Sequence, residues 1–379
     1  MASGVYLTLL AGPVVALPVP KPLMDALTAV EVTTSATGRS GFELHFTLSN
    51  RSPLQTLFLL AAGGPGVEIR VIVVVTVNGI PQVLMDGVMR DHEVQPGNDS
   101  GHSTLFVKGE DLTAVMDLTE LPGVPYPVPA EVRVAAILAK YAFYGIIPEI
   151  VPSVIPDIPI PVERIPGQQG TDFFYINQLA QKVGYVFYLD PGPVPGVSTA
   201  YWGPQIKFGV PQPALSTNMD SWTNVESLSF HYNPRKFKLP LVTILEPTTH
   251  VPIPVPIPPV TPLNPPLGLL PPFPTPPVFE PIEGTAKLDP GQALMLGFAR
   301  ASVNADVVTG TGSLDVLRYG QVLKARQLVG VRGAGPAFDG LHYVGSVTHR
   351  ISRGEYKQNV SLTRNALISN TPVVPTFGL

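Results

Sequence analysis

The chain has no cysteine among its 379 residues, which excludes a disulfide framework, a thiolate nucleophile and a thiolate metal site. A cysteine-free chain tolerates reducing and oxidising surroundings alike, so the compartment stays open on this ground. Charge is scarce too: Asp, Glu, Lys and Arg make up 14% of the chain against 45% apolar residues. That is little polar surface for a free monomer, and it points to surface buried against partners. A net charge of −4, with no Lys/Arg run, removes the electrostatic footprint that phosphate backbones require, so nucleic acid is not an expected ligand. No run reaches the roughly 18 uninterrupted apolar residues of a membrane-spanning helix, and direct membrane insertion is not expected. Residues 5–17 have the apolarity of a signal-peptide core. Yet no Lys or Arg precedes them and Pro13 interrupts them, so they read as a first strand followed by a turn.

Catalytic signatures are missing as well. There is no Walker-type phosphate loop, and Gly333-Ala-Gly335 lacks the third glycine and following helix of a dinucleotide fingerprint. The histidines include no His-x-His or His-x-x-x-His spacing. His92 with His102, or His342 with His349, could meet across strands, but ordinary surface or interface histidines account for them more simply. Gly196-Val-Ser198 resembles a degraded nucleophile elbow placed after a proline turn instead of between strand and helix. Glu110, Asp111, Asp117 and Glu120 offer acidic pairs of the kind glycosidases use, but their clustering after a strand suits a helix terminus or a solvated face better. The sequence therefore predicts no catalytic residue, no cofactor and no metal site.

Proline, in contrast, is abundant: 45 residues, about twice the usual frequency of roughly 5%. Its placement organises the chain. Residues 1–130 read as a β domain, with a hairpin over 30–34 and 42–48 and a second after the Val-rich run 67–77, which ends at Asn78-Gly79. Its return strand is expected at 82–85, a further pair at 87–94 and 103–108, and a short helix over 51–62. Residues 131–222 read as an α/β insertion: helices over 130–144 and from Thr171-Asp172 to Gly184, then strands at 185–189 and 199–202. Residues 223–379 return to β structure, with strands expected at 227–232, 293–303, 322–331, 343–351 and 356–362. The proline-rich stretch 246–281 interrupts them. Its Val-Pro-Ile-Pro-Val-Pro-Ile-Pro core favours polyproline II and is expected to project as an extended arm. Residues 87–112 and 340–367 echo each other as strand, glycine-bearing turn, strand; a duplication and two unrelated hairpins both fit this echo.

The C-terminal motifs carry a resemblance. Leu314-Asp-Val-Leu-Arg-Tyr-Gly-Gln-Val-Leu323, Leu328-Val-Gly-Val-Arg-Gly-Ala-Gly335, residues 339–358 and Ser361-Leu-Thr-Arg364 resemble the phage late control protein D family. The segment from Thr171 to Tyr185 is similar to that family's helix-then-strand piece. The resemblance implies a mainly β (α+β) chain with two tube-protein-like β-barrel domains, a small α/β insertion and the proline-rich arm. It also implies a structural, non-enzymatic baseplate hub: a homotrimer between a hexameric inner tube protein and a trimeric spike protein, assembled in the bacterial cytoplasm into a phage tail or tail-like particle. The arm departs from the family pattern and would reach other baseplate subunits. The spike would be a separate chain, since glycine-rich spike repeats do not follow Arg364. Candidate interface residues are Arg318, Tyr319, Arg332, Tyr343, His349, Arg350, Arg353, Tyr356 and Arg364, with Pro252, Pro254, Pro256 and Pro258 on the arm. The alternatives are a tail-tip receptor- or cargo-binding module and a cell-wall hydrolase.

Overall fold

The computed structural model describes residues 4–49, 68–96, 102–153, 166–246, 248–249, 251–260, 264–273 and 276–370. Seven strands come first: β1 (Val5–Gly12), β2 (Leu17–Pro18), β3 (Leu27–Ser35), β4 (Gly41–Ser49), β5 (Arg70–Val77), β6 (Ile80–Pro96) and β7 (His102–Asp111). In β3 the buried residues Val30 and Val32 face the core, while Glu31 and Thr33 face away, the period of two that a half-buried strand requires; Leu27, also buried, lies beyond a bulge at Thr28. Asn78 and Gly79 both take left-handed backbone, at φ 52° and 81°. This two-residue turn matches strand twist and joins β5 to β6 as the sequence suggests. β6 continues through the stretch read as two strands, and a bulge at Arg90 bends it between its pairings with β7. The helix expected over 51–62 lies outside the described residues.

The insertion follows with β8 (Leu121–Pro125), β9 (Ile146–Ile150), β10 (Gly167–Gly170), β11 (Val186–Pro191) and β12 (Ser198–Gly203). Helices Ala130–Ala139 and Asp172–Val183 pack on it. Thr171 caps the second helix by accepting from the Phe174 amide at 3.1 Å, and Gly184 ends it in left-handed backbone. Its core gathers Val134, Ile137, Ile176, Leu179 and Trp202, and begins upstream with Leu112 and Met116. β9, unforeseen in the sequence, runs parallel to β12.

The remaining strands are β13 (Gln212–Ser216), β14 (Ser227–Tyr232), β15 (Leu239–Leu245), β16 (Pro252–Pro256), β17 (Gly268–Leu270), β18 (Phe279–Pro281), β19 (Val308–Asp315), β20 (Leu328–Arg332), β21 (Gly340–Ser352), β22 (Glu355–Arg364) and β23 (Leu367–Ser369). Two expectations are corrected here. Residues 293–303 are not a strand but part of the helix Pro290–Asn304, started by Pro290 and by the Asp289 carboxylate accepting from the Gly291 amide. Gly297 lets this helix sit close on the sheet beneath, since a Cβ there would lie 2.7 Å from Ile257 and 2.9 Å from Val242. The expected strand 322–331 is extended only from Leu328.

The proline stretch, also contrary to expectation, does not project. β16 pairs antiparallel with β15, β18 pairs with β15 from the other side, and β17 pairs with β23. The alternation of proline makes this possible. Ile253 and Val255 stand opposite Ile244 and Val242, and flanking bonds run from the Ile257 amide to the Pro240 carbonyl (2.8 Å) and from the Glu246 amide to the Val251 carbonyl (3.1 Å). Backbone direction alternates along a strand, so Pro252, Pro254 and Pro256 occupy positions whose amides would point away from the sheet. The strand bonds inward through its Val and Ile residues and offers no amide outward, a blunted edge. Replacing all three prolines by Val is expected to restore outward donors and cause self-association, read as a rise in scattering mass with concentration; a variant as monodisperse as the parent would contradict this.

Thirteen strands form one sheet in the path β14-β19-β22-β21-β3-β4-β7-β6-β5-β1-β2, with β20 and β13 branching from β21. Two halves of this path repeat. In chain order β3, β4, β5, β6 and β7 pair as β14, β19, β20, β21 and β22 do. The bulge at Arg90 in β6 recurs at Gly345 in β21. The amide of Met89 donates to Ile69 at 2.8 Å where that of Val344 donates to Gln327 at 2.9 Å. Following the pairings outward from the bulge lays Lys108 on Ser361, Leu44 on Gly312 and Val30 on Leu228. The halves differ at their margin, where β1 is antiparallel to β5 but β13 is parallel to β20.

Candidate assembly interface

The two repeats meet edge to edge where β21 pairs antiparallel with β3, Ser346 opposite Ser35 through Ser352 opposite Ala29. Val30, Val32, Val347 and Ile351 bury their side chains in a core common to both halves. On the opposite face the Thr33 and Thr348 hydroxyls are hydrogen-bonded at 2.9 Å, and Arg350 reaches Glu31 at 2.9 Å.

Arginines fasten the insertion to the repeats. Arg326 donates to the Ser35 carbonyl through Nε (3.1 Å) and Nη2 (2.8 Å), and to the Leu189 carbonyl and Asp190 carboxylate through Nη1. Its guanidinium lies 3.9 Å from the Tyr188 ring centroid, so one buried cation ties together the first repeat, the second and the insertion. Arg70 makes a fork to Asp86 at 2.7 and 2.6 Å, and also holds the carbonyls of Val14, Tyr144 and Gly196. Both ions of that pair are buried.

The candidate interface residues fall into two groups. Arg318, Arg350 and Arg353 are exposed and Arg332 is half-buried, while Pro252, Pro254, Pro256 and Pro258 line the exposed side of the docked arm. Tyr319, Tyr343, His349, Tyr356 and Arg364 lie in the protomer's own interior. Tyr319 donates to the Pro213 carbonyl (2.6 Å), and the His349 Nδ1 pairs with the Tyr356 hydroxyl (2.8 Å). Arg364 donates to the carbonyls of Leu267, Phe338 and Asp339, locking the proline stretch to β22. Burial pulls its guanidinium down to about 10, with Asp339 opposing the shift.

Burial likewise pushes His342 and His349 down to about 3, Arg364 adding to the effect at His342. The folded chain therefore holds both rings neutral, whereas the unfolded chain takes up their protons below about pH 6.5. Their contribution to stability is complete above about pH 6.5 and drains as the pH falls toward 3, by about 1.4 kcal/mol per pH unit for each ring. Thermal unfolding from pH 7 to 4 is expected to show this slope, reduced in His349→Gln; a melting temperature flat over that range would contradict it.

Three of the acidic residues of the sequence survey have structural partners: Asp111 caps the turn at Leu112–Asp117, and Arg39 binds both Glu110 and Asp117; Glu120 is exposed. Ser198 is buried with its hydroxyl 3.3 Å from Asp86. Among the described residues no group of three His, Asp or Glu is placed to hold a metal, and no helix is long and apolar enough to cross a membrane.

What the described surface does offer is a pair of unfinished sheet edges. β14 ends the sheet, with β19 on one side and no partner on the other among the described residues. β6 pairs β5 only as far as Val88, so its stretch 91–96 is covered by β7 alone among the described residues. Beside β14 the solvent face of β19, β21 and β22 is shallowly concave and paved with small uncharged groups, Ser229, Thr311, Thr348, Asn359 and Ser361 among them.

No family model matches the chain, and no curated protein matches it in sequence. Solved structures do. A tail protein from Neisseria meningitidis MC58 is 13% identical with a TM-score of 0.59, over 96% of this chain and 98% of that one. The 43 kDa tail protein of prophage MuSo2 from Shewanella oneidensis is 14% identical with a TM-score of 0.62, over 95% and 98%. The c3393 protein of E. coli, a component of the type VI secretion system, is 11% identical with a TM-score of 0.51, over 92% and 76%. The chain thus has the fold shared by phage tail proteins and a secretion-system component.

Proposed function

We propose that the chain is a structural baseplate hub: three copies form an adaptor between a hexameric inner tube and a trimeric spike in a contractile, phage tail-like injection particle. The observation that carries this reading is the internal repeat. A chain holding two equivalent β units lets three copies present six of them, so one side can meet a sixfold tube while the whole keeps threefold symmetry for a spike. The repeats correspond to the tube-like domains at 1–130 and 223–379, with 131–222 as the insertion and β13 joining the second repeat. The role is mechanical, and the chain is not an enzyme: the arginine clamps make repeats and insertion a stiff body that transmits force. Assembly takes place in the bacterial cytoplasm, and other baseplate subunits bind the exposed proline face of the docked arm, the side bearing Pro252, Pro254, Pro256 and Pro258.

Native mass measurement tests the reading. The purified chain, at 40.4 kDa per copy, is expected to run as three copies and to co-purify with tube and spike proteins when these are expressed with it. A stable monomer that retains neither would overturn the proposal.

A further inference from the structure

We infer that a second copy of this chain completes the sheet: residues 92–96 of β6 pair antiparallel with β14 of the neighbouring copy, in the register that β21 and β3 use within one chain. The inference rests on the hub reading and specifies its protomer contact.

The register follows from the repeat. β21 is divided between two partners: Gly340–Tyr343 pair with β20, and Ser346–Ser352 pair with β3. β6 is its equivalent, with Ile80–Val88 on β5 and the rest of that edge open among the described residues. β14 is the equivalent of β3, and its outer edge is open among the described residues. Each molecule thus carries one half of the internal junction on β6 and the other on β14, and a head-to-tail contact rebuilds it. With Arg90 laid on Gly345 and Leu228 on Val30, Thr348 opposite Thr33 becomes Glu93 opposite His231. His92 then faces Tyr232, Val94 faces Phe230, and Gln95 faces Ser229.

The chemistry of the two edges fits. Val94 and Tyr232 are 43% and 37% exposed in the single chain. In the joined sheet both fall on the face that carries the core, beside Phe230 and Leu228, which already pack against it. The other face pairs polar with polar, and brings an acidic residue opposite a histidine. Backbone direction agrees as well. The Asn233 amide donates to Val307, so odd-numbered residues of β14 address β19 and the amides of Leu228, Phe230 and Tyr232 point out of the sheet. An open row of this kind is a template for strand addition. Pro234, lying where Ala36 donates to Gly345 at the internal junction, lacks that donor and ends the ladder beyond Tyr232.

The lack of native cysteine makes the register directly readable. Ala36 and Gly345 form a bonded pair, so Thr33 and Thr348 occupy the closer, non-bonded type of pair, and Glu93 and His231 inherit it. Such positions approach to about 4.5 Å between Cα atoms, within disulfide reach. Glu93→Cys with His231→Cys in one chain, oxidised and run without reductant, is expected to move most of the chain into a covalent trimer band. Gln95→Cys with His231→Cys, two residues out of register, is expected to leave most of it monomeric. Cross-linking by the second pair and not the first overturns the register. A native mass of three copies with neither pair cross-linking overturns the inference and leaves the hub reading standing. Monomers by native mass sink both.

Discussion

Arg70→Met is expected to be among the most destabilising single substitutions in this chain, lowering unfolding free energy by about 3–5 kcal/mol. The reason is what it leaves behind. Asp86 is buried and receives two short bonds from the Arg70 guanidinium; without that partner the carboxylate keeps, among the described residues, the Ser198 hydroxyl at 3.3 Å. The carbonyls of Val14, Tyr144 and Gly196 lose their donor in the same step. Arg70→Met combined with Asp86→Leu removes the stranded charge and is expected to recover part of the loss. Denaturant titration of the two variants checks this: equal stability of single and double variants would show that the carboxylate is not the source of the cost.

Arg326→Ala is expected to cost about 2–4 kcal/mol, since the Ser35 and Leu189 carbonyls lose charge-assisted bonds and Tyr188 loses its stacked cation. Arg326→Lys is expected to recover little, because an ammonium cannot serve several separate acceptors in one plane while lying flat on a ring. Loosening should concentrate where the insertion meets the repeats. Hydrogen exchange in β11 and at the end of β3 is expected to accelerate in Arg326→Ala beyond the change in the second half of β22; uniform acceleration across the sheet would contradict a local clamp.

Those two arginines show what the sequence could and could not reveal. Hairpins were legible because their signals are local: Asn78-Gly79 turns by its own backbone preference, and the alternation in 343–351 names its two faces. The insertion's second helix was legible from Thr171 and Gly184 at its ends. The helix Pro290–Asn304 reads as a strand over 293–303 from its apolar run alone, although Asp289-Pro290 starts it and Ala293, Gly297 and Ala301 share its buried face at four-residue spacing. The proline stretch docks where polyproline reasoning expects an arm, because that reasoning concerns an isolated segment, whereas alternation with Val and Ile matches the one-sided needs of an edge strand. Arg326 and Arg70 gave no local cue to their partners, which lie in other elements. A charged pair flanking a Val-rich hairpin was the available hint for Arg70 and Asp86. The interface candidates mixed exposed residues with Tyr319, Tyr343, His349, Tyr356 and Arg364, because strand alternation tells two faces apart but not which of them is solvated. The repeat itself showed in sequence only as the loose echo of β6–β7 in β21–β22, since equivalent positions share strand direction and pairing far more than residue identity.

End-on electron-microscope averages of the purified assembly bear most directly on the claim that each chain holds two equivalent ring units. The expected image is a closed ring of six nearly alike inner lobes, with the outer density of the insertion repeating every third of a turn. An assembly showing three inner lobes, or an open chain of subunits, would contradict the account.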